Sequence, residues 1–152
     1  MLYHKKMEPS AINRRARYDY DILEEYEAGI ALTGHEVKSV KAGRMTLAGA
    51  FAVIRDNEAW LLNAAIAPYQ TANAPKEYDA GRSRKLLLRA SEIKELIGKT
   101  SAQGLTIVPL KVYNKRGRIK ILLGLARHRK KTDKREVIKK RESDREMRRV
   151  VK

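Results

Sequence analysis

The chain has 152 residues, with 34 Lys and Arg against 18 Asp and Glu, a formal net charge of +16 and a pI near 10.2. Its 43% hydrophobic content is enough for a core and excludes a wholly disordered protein. The absence of cysteine excludes disulfides, a thiol nucleophile and a zinc ribbon. No apolar run reaches the roughly 18 residues of a membrane span, and Met1–Ser10 lack the apolar stretch of a signal peptide. Solubility needs a net charge of only about 2–8, so +16 points to an anionic partner. A cytoplasmic, monomeric protein is expected.

In chain order, residues 1–12 read as a loose arm. Tyr18–Leu32 is a strand pattern interrupted at Ala28-Gly29, where a glycine suggests a bulge. Thr33 to Glu36 forms a capping box, opening a helix that turns Val37 and Val40 inward and stops at Gly43. Ala50–Arg55 and Ala59–Ile66 are β-rich runs joined by Asp56-Asn57-Glu58. Pro68–Arg84 reads as a polar surface loop, and Lys85–Arg89 as a short strand. Ser91 caps a second helix with Ile93, Leu96 and Ile97 on one face, ended by Gly98 or Gly104. Leu105–Tyr113 and Arg118–Ala126 make a last hairpin through Asn114-Lys115-Arg116-Gly117. In its second strand Ile119, Ile121, Leu123 and Leu125 share the core face. The other face starts basic with Arg118 and Lys120, then carries Leu122 and Gly124.

Six short strands, two helices and no βαβ alternation predict a mainly β fold: a closed antiparallel six-stranded oligonucleotide-binding-like barrel with flanking short helices and a basic C-terminal tail. The barrel spans 13–126 and the tail 127–152. The tail holds thirteen Lys and Arg against five Asp and Glu, a net +8 and half of the whole excess. It lacks Gly and Pro and has pairs four apart, such as Glu136–Lys140 and Asp144–Arg148, so it is helix-compatible. Ile138 and Met147 fall on opposite sides, so no apolar stripe forms. Such a segment is expected to be disordered when free and to order only against something strongly negative. Nucleic acid phosphate is the fitting surface.

No catalytic constellation, cofactor site or metal site emerges. Gly98-Lys99-Thr100 imitates a phosphate-binding loop, but Ile93 stands where its first glycine belongs. His4, His35 and His128 share no ligand spacing. Asp19, Asp21 and Glu36 form no coherent metal-nuclease motif.

Several segments, in order and spacing, carry a resemblance. They are Asn13-Arg14-Arg15-Ala16-Arg17-Tyr18-Asp19-Tyr20, Tyr26-Glu27-Ala28-Gly29-Ile30-Ala31-Leu32-Thr33-Gly34 and Glu36-Val37-Lys38-Ser39. They continue with Lys85-Leu86-Leu87-Leu88, Val108-Pro109-Leu110 with Tyr113, Gly124-Leu125-Ala126-Arg127 and Asp133-Lys134-Arg135. From about Asn13 onward the chain resembles the SmpB family, the protein partners of transfer-messenger RNA. The resemblance implies a non-enzymatic RNA-binding protein. It would bind the tRNA-like domain of that RNA and deliver it to stalled ribosomes, its tail entering the empty messenger channel at the small-subunit decoding centre.

Carried over, the RNA-facing set is Asn13, Arg14, Arg15, Glu36 and Lys38, with Lys120 as a weaker member. Glu36 has two readings, as a capping residue or as an acceptor for a base edge or 2′-hydroxyl. Lys38 can equally solvate its helix. The tail set is Arg129, Lys130, Lys131, Asp133, Lys134 and Arg135. The chain departs from the family in reading His128-Arg129-Lys130 where a Gly-Lys-Lys triplet is usual, Thr132 where an aromatic or histidine is common, and His35 where a small residue is common. The alternative is a general basic RNA-binding or ribosomal protein of the same barrel class.

Overall fold

The computed structural model describes residues 9–70 and 75–150. Along the chain run β1 (Ala11–Ile12), α1 (Ala16–Asp19), β2 (Tyr20–Ile30), α2 (Gly34–Lys41), β3 (Met45–Thr46), β4 (Phe51–Arg55), β5 (Glu58–Leu62) and β6 (Ala65–Ile66). They are followed by β7 (Arg84–Leu87), α3 (Ala90–Gln103), β8 (Thr106–Lys115), β9 (Arg118–His128) and α4 (Lys131–Val150). Six strands form a hydrogen-bonded ring, in the order β8-β4-β5-β7-β2-β9, with β9 closing back on β8. Every pairing in it is antiparallel. The fold is mainly β with flanking helices, and β3 and β6 make a separate two-stranded sheet.

Inside the ring lies the main core. Ile119, Ile121, Leu123 and Leu125 of β9 all point into it, at most 7% exposed. They meet Ile107 and Val112 of β8, Leu61 of β5 and Leu86 of β7. The alternation read from the β9 sequence therefore holds. Its outer face starts basic as expected, but further along it is apolar and covered. Ala16 of α1 joins Val108, Leu110 and Ala126 in a second cluster, with Tyr20, Ile22 and Leu122 packed against it. Gly124 permits this close cover: a Cβ there would sit 3.1 Å from Ile22 Cγ2 and 3.2 Å from Leu110 Cδ1.

Four local expectations are corrected. Residues 1–8 lie outside the described residues, but the end of the arm is not loose. Ala11 and Ile12 pair with Val112 and Lys111, and the Ser10 N–H donates to the Val112 carbonyl at 2.7 Å. In β2 the register shifts between Ile22 and Glu24, not at Gly29. Gly29 instead gives room to Leu87, whose Cβ would lie 3.2 Å from an added Cβ. The second helix starts at Ala90 with Glu92 accepting from the Arg89 N–H (3.1 Å), and it runs through Gly98 to Gly104, whose φ is 62°. Last, the β8–β9 turn narrows to Arg116-Gly117, both at positive φ, because that backbone twist matches the strands it joins.

The capping box at Thr33 and Glu36 forms as read: Glu36 N–H donates to Thr33 Oγ1 at 3.2 Å, and Thr33 N–H to Glu36 Oε1 at 2.9 Å. The C-terminal segment is helical as α4, which its lack of Gly and Pro allows. Ile138 and Met147 on it are 40% and 66% exposed, so neither provides a docking face. No described helix is long and apolar enough to cross a membrane.

Candidate nucleic-acid interface

The segment before α1 is built on β8. The Asn13 side-chain amide donates to the Pro109 carbonyl at 2.9 Å, and its backbone N–H to the Leu110 carbonyl at 2.8 Å. The Asn13 amide group is thereby turned inward and anchors the turn. Arg14 and Arg15, next in the chain, stand exposed at the rim of a cleft lined also by Ile12, Thr46, Leu47 and Phe51. Arg15 lies over the Tyr18 ring at 5.0 Å and 3.5 Å from the Asp19 carboxylate.

Glu36 is only 1% exposed and takes more partners than the sequence reveals. Besides the cap, its carboxylate accepts from Arg84 Nε at 2.9 Å and from the Arg82 guanidinium. Arg84 is wholly buried and spends its remaining donors on the Ala64, Arg82 and Ala80 carbonyls, each at 3.0 Å. Burial raises the Glu36 pKa, but the two arginines and the Thr33 N–H outweigh it and hold the carboxyl below its ordinary range. The structure thus favours the capping reading of Glu36 and adds a buried ion cluster. It leaves no exposed carboxylate for a base edge. The cluster ties α2 to the connection after β6. His35 supports the same tie: its Nε2 accepts from the Tyr69 N–H at 3.0 Å, and its ring meets Tyr78 edge-on at 5.1 Å. Exposed Lys38 projects from the helix so held.

Lys120 is half-buried and lines a shallow cavity with Arg118, Leu32, Val37 and Leu87. Leu87 is 54% exposed there, next to cations. On β2, Glu27 accepts from the Tyr113 hydroxyl and from Lys115 Nζ, which hold its pKa down. The Tyr113 pKa is pushed up by burial and by Glu27. Leu87, Glu27 and Lys115 were not among the site residues expected from the sequence, which placed Arg118 only on the basic outer face of β9. The signal for Leu87 was the period of two in Lys85-Leu86-Leu87-Leu88, which turns Leu86 in and Leu87 out.

The tail set divides. Arg129 belongs to the ring: its N–H donates to the Asp19 carbonyl at 2.9 Å and its Nε to the Tyr20 carbonyl at 3.2 Å. Lys130 and Arg135 are exposed. Lys134 Nζ sits 3.3 Å from the Asp19 carboxylate and 5.6 Å from the Tyr18 ring centroid. The side chains of Lys131 and Asp133 lie outside the described residues. The predicted residues thus gather in two groups. Arg14, Arg15, Arg129 and Lys134 surround α1, and Lys38 and Lys120 flank α2. Asp19 and Glu36 are engaged with different arginines and do not converge, and no group of metal-binding side chains occurs among the described residues.

Residues 10–152 match the family model described as SmpB protein. The chain belongs to the SmpB family. An SsrA-binding protein of Thermosynechococcus vestitus is 51% identical over 140 residues, 92% of both chains. One of Acaryochloris marina is 54% identical, over 92% of this chain and 91% of that one. A solved structure described as "tmRNA-SmpB: a journey to the center of the bacterial ribosome" contains a chain 50% identical to this one. It covers 84% of this chain and 92% of that one, with a TM-score of 0.66.

The His128 ring meets Tyr20 edge-on at 5.1 Å. The strand therefore runs on to His128, paired with Tyr20, and the tail leaves from a side chain packed on β2.

The buried cluster generates an acid-sensitivity prediction. Glu36→Gln keeps the cap oxygen but leaves Arg84 buried without a counter-charge, a loss of about 3–5 kcal/mol at pH 7. Because the folded carboxyl titrates below its ordinary 4.5, its contribution is complete above that value and fades as pH falls through the lower folded pKa. Urea unfolding of both proteins should show their stability gap shrinking below pH 4.5.

Proposed function

We propose that this protein binds the tRNA-like domain of transfer-messenger RNA and carries it to stalled ribosomes for trans-translation, with no covalent chemistry of its own. The observation that carries this is family membership over almost the whole length, at 51–54% identity to SsrA-binding proteins. In this reading the six-stranded ring is an oligonucleotide-binding-like barrel, residues 13–126 form the RNA-binding domain, and the protein works as a cytoplasmic monomer. Exposed arginines at α1 and the lysines flanking α2 supply phosphate contacts, and Leu87 offers an apolar surface to an unpaired base. Asn13 and Glu36 hold those groups in place instead of touching RNA.

Arg14→Ala, Arg15→Ala and Lys38→Ala together should weaken RNA binding and lower the salt slope by about 2–3, since each lost phosphate contact removes roughly 0.7–0.9 of a released counterion. Filter-binding titrations across salt concentrations measure it, and an unchanged slope moves the RNA face elsewhere.

The tail, residues 127–152, acts in this reading on the ribosome, in the empty messenger channel at the decoding centre. Beyond its first turn it adds nothing to the core among the described residues: Val137 and Ile138 belong to neither core cluster. Its four-spaced charge pairs contribute only about 0.2–0.5 kcal/mol each. The helix melts when the protein is free and re-forms on the ribosome. NMR shifts near random-coil values across residues 136–152 of the free protein check this, and slow amide exchange there would contradict it.

Replacing Asp133, Lys134 and Arg135 by Ala removes one net positive charge from a chain of +16, so bulk electrostatics barely change. The expected outcome is near-normal affinity for transfer-messenger RNA and severe loss of tag addition on a message without a stop codon. Full tagging by this variant would remove the triplet from the mechanism.

A further inference from the structure

Two cations from opposite ends of the sequence converge on the same two acceptors. Arg15 lies 3.5 Å from the Asp19 carboxylate and 5.0 Å from the Tyr18 ring. Lys134 lies 3.3 Å from that carboxylate and 5.6 Å from that ring. Both Asp19 and Lys134 side chains are about one quarter exposed, against 74% for Arg15, so Lys134 is the more deeply seated of the two. Arg129, five residues before Lys134, is bonded to the Asp19 and Tyr20 carbonyls. The chain from Arg129 to Lys134 is thereby held at both ends against α1 and the start of β2. Burial acts to raise the Asp19 pKa, but hydrogen bonds and charge from Arg15 and Lys134 bring it below its ordinary range.

We infer that Asp19 and Tyr18 are positioning residues that seat Lys134 and so set the direction in which the tail leaves the ring. This rests on the proposed role of the tail in the messenger channel. The part of the tail beyond Lys134, which orders only at its target, searches fewer orientations when its root is fixed, and this raises its effective concentration at that target. The seat sits on the same short helix that follows Arg14, so the tail root and the proposed RNA arm meet at one element. Arg15 and Lys134 repel each other across the shared carboxylate. Drawing Arg15 toward an RNA phosphate leaves Asp19 to Lys134 and tightens the seat.

The chain has no cysteine, so two introduced cysteines label cleanly. Spin labels at Arg135→Cys, next to the seat and before the stretch expected to melt, and Lys94→Cys, exposed on α3, report the tail root by pulsed electron paramagnetic resonance on the free full chain. A single narrow distance distribution is expected. Asp19→Asn and Tyr18→Leu should each broaden it at least twofold, with melting temperatures held within a few degrees. Glu25→Gln, which removes a nearby exposed acid paired with Arg17, should leave it narrow. A distribution already broad in the parent, one left narrow by Asp19→Asn, or equal broadening by Glu25→Gln overturns the inference. None of these readings uses RNA or ribosomes, so they stand apart from the rescue function. In a tagging assay at saturating transfer-messenger RNA, Asp19→Asn should slow tag addition about fivefold. Unchanged tagging alongside a broadened distance would show that the seat does not serve delivery, and would overturn the positioning role.

Discussion

Strand β9 has to be buried on both faces, and the rest of the architecture follows from that. Its inward row, Ile119 to Leu125, fills the ring. Its outward row changes from basic to apolar beyond Lys120, and Leu122, Gly124 and Ala126 demand cover as well. One residue, Ala16, begins the cover, and Ile22 and Tyr20 complete it. Burying such apolar side chains contributes roughly 25 cal/mol per Å² removed from water, so α1 is held where that surface lies. Arg14, Arg15, Tyr18 and Asp19 are carried there with it. The charged machinery is thus placed by an apolar requirement.

A second constraint acts at α2. Arg84 is fully buried and cannot shed its charge, because guanidinium stays protonated. Glu36 answers it while also capping the helix. One carboxylate therefore fixes a helix start, a strand start and the long connection between β6 and β7. Buried ion pairs of this kind stabilise little in total, but breaking one is expensive. The geometry that presents Lys38 depends on this cluster.

Much of the fold was legible because local rules were met. The capping box at Thr33 and Glu36, the alternation of β9 and the six principal strands follow from side-chain period and turn residues. Where local rules failed, a distant partner had intervened. Ser91 looked like a cap, but Glu92 reached the Arg89 N–H first. Gly29 looked like a bulge, yet it is a gap filled by Leu87 from another strand. The arm looked loose, but Ala11 is a small residue at 7% exposure on the edge of β8.

The sequence by itself determined the chemistry of this protein: its charge, the concentration of half that charge in the last 26 residues, the lack of thiol groups, and the motifs of its family. These are properties of composition and order, and no folding is needed to read them. Only the tertiary structure decided which charged residues remain available. Glu36 and Arg84 are consumed by each other, 48 positions apart, and Lys134 and Arg15 meet at one aspartate from opposite ends of the chain. Period and spacing describe neighbours within one element. Pairings across such separations are set by how the ring closes and which faces it must cover.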